Sequence, residues 1–174
     1  RHRYDYRGEW IRFTETIGRN QGAGLALKQR AIQAVADIAD SPAGLLLTPD
    51  EDGVLGLEAD WNWPDSGVTS RAAPRTLSRI MEKTGFILDF DEARRGVSHG
   101  GEAEHVPGWL MADLRAWAGI PLVLRGRLVG LVILARPVLD RRLDWEDFDL
   151  LGIAAHQVAS YLAEQAGQEA LEEA

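Results

Sequence analysis

The sequence predicts an α+β domain, a mostly antiparallel sheet flanked by helices. Three observations lead there. Apolar runs of strand length come in pairs joined by short turns, Leu45–Thr48 with Leu55–Trp61 and Ile120–Leu124 with Leu128–Ala135; strands that arrive as hairpins pair antiparallel. Segments with apolar residues at helical spacing stand before, between and after these hairpins. The chain has 174 residues, 45% of them hydrophobic and 26% charged, which is enough for one domain with a real core.

Tyr6, Trp10, Phe13 and Ile17 recur at i, i+4, i+7 and i+11 and give a first helix an aromatic face. Asn20-Gln21-Gly22-Ala23-Gly24 breaks it. A second helix turns Leu27, Ala31, Val35 and Ile38 inward and Lys28, Arg30 and Gln33 outward, ending at Ser41-Pro42-Ala43-Gly44. Leu45–Thr48 reads as a strand buried on both faces. Pro49–Gly53 is turn chemistry, and Leu55, Leu57, Ala59 and Trp61 then alternate with polar and small residues as one face of a half-buried strand. Ser70 caps a third helix with Pro74 in its first turns, Leu77, Ile80 and Met81 on one face and Gly85 at its end. Phe86–Phe90 is a further strand. From Asp91 to Gly108 the pattern dissolves into Gly, Glu, Arg and His, as in a structureless lid. A short helical piece around Trp109–Leu114 closes it. The second hairpin turns at Arg125-Gly126-Arg127. Asp144 caps the last helix, whose acidic first turn suits the helix dipole, with Phe148, Leu151, Ala155, Val158 and Leu162 as its buried stripe.

Composition removes several functions. Lys and Arg number 19 against 27 Asp and Glu, a net charge of −8, and no basic patch for nucleic acid is expected. The chain has no cysteine, so disulfides, thiolate metal sites, thiol catalysis and thioether attachment of a chromophore are out. No apolar run approaches the ~20 residues that span a bilayer. Neither a signal-peptide pattern at Arg1-His2-Arg3 nor a helix stop after Glu164 is present, and we read the chain as a segment of a longer protein.

The run Pro121-Leu122-Val123-Leu124-Arg125-Gly126-Arg127-Leu128-Val129-Gly130-Leu131 and the run Trp145–Leu151, continuing to Ala155-His156-Gln157-Val158-Ala159, resemble the penultimate hairpin and final helix of the GAF domain. The likeness covers about Leu27 to Leu162. It implies a GAF-like sheet of five to six strands in the order 2-1-5-4-3, with long N- and C-terminal helices. Tyr4–Arg7, Trp10–Thr14, Trp61-Asn62, Trp109-Leu110 and Gln157–Ala163 are similar to the PEP-CTERM/exosortase-associated sensor histidine kinases. That finer likeness implies a membrane region upstream, a kinase core downstream, and a cytoplasmic place at an inner membrane. The chain then divides into a signalling or dimerisation helix at 1–24, the GAF domain at 25–163 and the start of a linker at 164–174.

Nothing in the sequence speaks for catalysis by this segment. His156 is followed by Gln157, whereas the phosphoacceptor of such kinases is normally followed by an acidic residue, and its helix is used for packing; we read it as structural. His99 and His105 match no closed metal site, and Gly22-Ala23-Gly24 lacks the strand before it that a dinucleotide fingerprint needs. The motif of cyclic-nucleotide-binding GAF domains is echoed only by Asp89-Phe90-Asp91-Glu92, and GAF-fold reductases of methionine sulfoxide use cysteines. No cofactor is expected. What remains is Trp61, Trp63, Phe90, Trp109 and Trp117, at strand ends or beside the lid. GAF domains hold small molecules between sheet and lid, so the resemblance makes these five the candidate pocket for a small apolar or aromatic ligand. The opposing reading is that the rings fill that space as core, leaving a dimeric relay or spacer. Tyr6, Trp10, Phe13 and Ile17, with Leu162 and Leu171 of the last helix, form the candidate interface of a parallel homodimer.

Overall fold

In the computed structural model, residues 25–64 and 71–173 are described; the expected first helix and Ser70 lie outside them. Helix α1 (Leu25–Ile38) leads into a hairpin of β1 (Gly44–Pro49) and β2 (Leu55–Trp61), then β3 (Ala72–Ala73) and α2 (Arg75–Thr84). Next come β4 (Leu88–Asp89), α3 (Phe90–Arg94), a 3-10 turn (Glu102–His105) and α4 (Gly108–Ala112). The hairpin of β5 (Ala116–Leu124) and β6 (Arg127–Ala135) and the long α5 (Trp145–Glu173) complete the chain. The strands form one sheet in the order β3-β2-β1-β6-β5-β4, every neighbouring pair antiparallel. This is the expected order, with β3 added outside β2.

Both faces of the sheet are covered, which is why its central strands read as unbroken apolar runs. On one face Ile32 and Val35 of α1 and Leu151 and Val158 of α5 pack on Leu46, Ile120 and Val132. On the other, Met81, Phe90 and Leu110 pack on Leu45, Leu47, Leu131 and Ile133. Gly44 lets α1 come close: a Cβ there would lie 2.5 Å from Ile32 Cγ2. The second hairpin turns through two residues, Arg125 (φ 51°) and Gly126 (φ 76°). Two positive φ values give a turn whose twist matches the strands it joins.

Helix α5 is held at its start by a reciprocal cap. Asp144 Oδ1 accepts from the Asp147 N–H at 3.0 Å and Asp147 Oδ2 accepts from the Asp144 N–H at 2.8 Å. Asp147 is fully buried, and Arg141 reaches it at 2.6 Å while holding Asp40, just past α1, at 2.6 Å. One guanidinium therefore joins the end of the first described helix to the start of the last.

Five expectations need correction. Helix α2 starts at Arg75, with Pro74 as its N-cap instead of inside its first turns, because Ala72 and Ala73 pair with Gly56 and Leu55. The strand expected over Phe86–Phe90 shrinks to two residues: Phe86 is exposed and Phe90 opens α3, where the Asp89 carboxylate caps the Glu92 N–H. The stretch 91–108 is built, not structureless, for reasons given below. Phe148 is 46% exposed, and Leu150 and Ala154 take the buried stripe of α5 in its place. His156 faces solvent, so only its flanking residues, not its packing, separate it from a phosphoacceptor.

Candidate functional site

The five aromatic residues singled out from sequence do not line one pocket. Trp63, Phe90 and Trp109 lie on the lid side of the sheet, whereas Trp61 and Trp117 belong to the face covered by α1 and α5. Two bulges cause the split. Leu46 pairs with Ala59 but Leu47 pairs with Leu57, so Glu58 is the extra residue in β2. Leu55 and Leu57 consequently face the lid side, while Ala59 and Trp61 face the helices. In β5, Ala116 pairs with Ala135 and Ala118 with Leu134, leaving Trp117 as the extra residue, turned toward the helices. A strict period of two keeps Leu55, Leu57, Ala59 and Trp61 on one side; a single added residue reverses it.

On the lid side the rings are built into the core. Phe90 is fully buried and Trp63 is 4% exposed. The Trp63 indole N–H donates to Asp113 Oδ2 at 3.3 Å, and the Arg115 guanidinium lies 5.0 Å from the Trp63 ring centroid. The Trp109 N–H donates to the Ala72 carbonyl at 2.7 Å and ties α4 to the edge strand β3. Arg115 hydrogen-bonds Asp113 through two nitrogens and holds its carboxyl below the ordinary range, against the opposing pull of burial.

Sequence reasoning missed the two residues that order the lid. Glu102, 7% exposed, points back into its own loop. Its Oε2 accepts from the Gly100 N–H at 2.8 Å and the Ser98 hydroxyl at 2.9 Å, and its Oε1 from the His99 N–H at 2.9 Å. Burial pushes this carboxyl up, but the backbone N–H groups and the Ser98 hydroxyl outweigh it, and the net shift is down. Arg94 closes the other end, donating to the carbonyls of Met111, Asp113 and Ala116 at 3.1, 2.8 and 3.0 Å. These carbonyls end α4 and begin β5, so one side chain satisfies acceptors that a short helix leaves open. The sequence did contain a signal, since Gly101 (φ 86°) precedes Glu102 and marks a turn. A charge-rich loop and an internally hydrogen-bonded one have the same composition. His99 pairs with Glu92 at 2.6 Å.

Among the described residues, two hollows open on the helix-covered face. One, of about 330 Å³, lies between Lys28, Glu58 and the α5 residues Leu162 to Glu169. The other, of about 430 Å³, lies at the β4 edge beside the start of α5, with Trp117 and Phe148 in its lining. Of the candidate dimer residues, Leu162 is 9% exposed and packs into the core, so it is not free for a partner. Leu171 is 77% exposed. Tyr6, Trp10, Phe13 and Ile17 lie outside the described residues. Among the described helices none is long and apolar enough to cross a membrane.

No curated protein sequence matches this chain significantly. Several solved structures share its fold. The GAF domain of an Acinetobacter phosphoenolpyruvate-protein phosphotransferase superposes with a TM-score of 0.66 at 13% identity, covering 92% of this chain and 95% of that one. Residues 122 to 287 of a methyl-accepting chemotaxis protein give 0.59 at 15% identity, with coverage of 90% and 95%. The chromophore-binding domain of a bacteriophytochrome from R. palustris gives 0.62 at 16% identity; it is matched over 97% of this chain, which spans only 65% of that domain. These neighbours are sensory and regulatory proteins, and at such identities they speak for the fold alone. The profile of the GAF domain matches residues 25–162, the span running from α1 to the last buried residue of α5, and on that match the chain belongs to the GAF domain family.

Proposed function

We propose that this GAF domain is the sensory and regulatory domain of a membrane-bound two-component histidine kinase, relaying a signal through α5 and catalysing nothing itself. The observation that carries this reading is the shape of α5. The helix runs 29 residues, about 43 Å at 1.5 Å per residue, yet its last buried residue is Leu162. From Ala166 to Glu173 every residue is exposed. A helix that keeps its form after leaving its core is suited to carry a displacement away from it. Two such helices side by side would shelter Leu171 and make the domain a homodimer. The kinase assignment itself rests on the resemblance of the Tyr4–Arg7, Trp10–Thr14, Trp61-Asn62, Trp109-Leu110 and Gln157–Ala163 segments.

A second reading, a dimerising spacer with no ligand beneath the lid, is favoured by the filling of the lid-side core. Leu88, Met81, Phe90 and Leu110 are each at most 1% exposed there, in the space where the resemblance placed an apolar or aromatic ligand. The experiment is phosphorylation of the full-length parent protein with labelled ATP and mapping of the modified histidine. Label on a histidine beyond Ala174, with none on the isolated domain, is the expected result. Stoichiometric label on His156, or a parent that never phosphorylates itself, overturns the proposal.

A further inference from the structure

We infer that the cleft at the β4 edge, beside the first turn of α5, is a binding site for a small aromatic carboxylate. Its volume of about 430 Å³ falls within the ~300–1,000 Å³ usual for small-molecule sites. Its apolar surface comes from Trp117, turned here by the β5 bulge, from Ile87 and Leu143, and from Phe148. Phe148 is the telling residue. A phenyl ring 46% exposed in the first turn of a core helix faces a hollow where the same helix has buried leucines one turn on.

Charges around this floor are unequally satisfied. The rim carries four carboxylates and four guanidiniums. Asp91 is held by Arg136 through two bonds of 2.7 and 2.8 Å and by Arg94. Asp89 caps α3 and Glu92 pairs with His99, while Asp140 makes no hydrogen bond or ion pair among the described residues and lies in the field of Arg136. Arg141 is engaged with Asp40 and Asp147. Among the described residues the guanidiniums of Arg95 and Arg142 have no hydrogen-bond or ion-pair partner, and both line the cleft. In a chain of net charge −8, two free cations over an apolar floor select an anion with a flat hydrophobic body. The carboxylate would take charge-assisted hydrogen bonds from the guanidiniums while the ring lies against Trp117 and Phe148. An inorganic anion would leave the floor unused, and a neutral aromatic would leave the cations unused.

The site is independent of the kinase assignment and lies outside the lid-side core, although Asp91, Glu92 and Arg95 at the start of the lid line it. Its wall, Arg141 to Leu143, is the segment through which Arg141 grips Asp147, so an occupant would touch the start of α5 directly. The test is a titration of the ¹⁵N-labelled chain with indole-3-carboxylate, its neutral carboxamide and inorganic phosphate. Saturable shifts should centre on residues 87–95, 117–118 and 136–148 and continue into α5, with the carboxylate bound about tenfold more tightly than the carboxamide, the effect of roughly one charge-assisted hydrogen bond. The double variant Arg95→Gln/Arg142→Gln, altered at two exposed side chains, should erase that preference, and Phe148→Ala should weaken both aromatic ligands. Equal affinity for the carboxamide, phosphate binding as tight as the carboxylate, shifts centred on Trp63 and Trp109, or no saturation would each overturn the assignment.

Discussion

Replacing Glu102 by Gln changes one atom and should loosen the whole lid. In the native loop Oε2 takes the Gly100 N–H and the Ser98 hydroxyl, and Oε1 takes the His99 N–H. Gln offers one oxygen. If its amide nitrogen sits at the Oε2 position it meets the Gly100 N–H; if at the Oε1 position it meets the His99 N–H. Either way one part-buried donor is stranded, toward the lower end of about 1–3 kcal/mol, and the remaining bonds lose their charge assistance. We expect a loss of about 2 kcal/mol, a drop in Tm of about 4–8 °C for a domain of this size. Because the carboxyl is shifted down on folding, its contribution is fully present above the unfolded value of about 4.3 and fades as pH falls through the lower folded value. The gap between wild type and Glu102→Gln should therefore be full at neutral pH and close in acid. Thermal melts by circular dichroism across pH measure it, and hydrogen exchange should quicken at residues 98–105 in the variant. A variant within about 0.5 kcal/mol of wild type at neutral pH, the range of an ordinary surface change, would refute the view that Glu102 orders this loop.

Three further outcomes follow from the same geometry. Arg141→Met should destabilise by about 3 kcal/mol, the lower end for breaking a buried pair, since it leaves the fully buried Asp147 without its cation; adding Asp147→Asn should recover part of this in urea unfolding, and additive losses would contradict the pairing. Gly44→Ala should cost about 1–3 kcal/mol by overpacking, because the new methyl meets Ile32 at 2.5 Å and the Ile133 carbonyl at 3.1 Å; an unchanged denaturation midpoint would show that α1 can shift freely. Sedimentation at high protein concentration should reveal a homodimer that Leu171→Glu and Trp10→Glu weaken, and a clean monomer would count against the bundle.

Local chemistry was legible wherever it was decided by neighbours in sequence. The inward face of α1, the two hairpins, the Gly85 cap of α2 and the Asp144 cap of α5 all stand as read. These depend on helical spacing, turn residues and side chains reaching their own backbone. The aromatic site was not legible, because a bulge leaves no composition of its own. Nothing in Leu57-Glu58-Ala59 or Ala116-Trp117-Ala118 says that one residue goes unpaired, yet each bulge sends the following side chains through the sheet. The lid failed for a related reason. Glu102 and Arg94 look like solvated charges in one dimension and are internal ligands in three, since their partners are backbone groups that every loop possesses.

The two faces of the sheet therefore stand in different relations to the exit helix. A change in the lid-side core meets the sheet first, at β5 and β6, whose inner side chains are packed on both faces and resist displacement. A change in the cleft at the β4 edge acts on Phe148 and on the Arg141–Leu143 wall, and Arg141 already bridges Asp40 after α1 to Asp147 in the first turn of α5. From the cleft, that ion bridge leads on to α5 without crossing the lid-side core. Breaking the bridge should then uncouple occupancy of the cleft from movement of α5 while leaving the aromatic floor in place. In the Arg141→Met chain, indole-3-carboxylate should still shift Trp117 and Ile87, but the perturbation should stop short of the α5 residues beyond Phe148 that it reaches in the wild type. Identical propagation along α5 in both chains would mean that the floor, not the bridge, carries the signal.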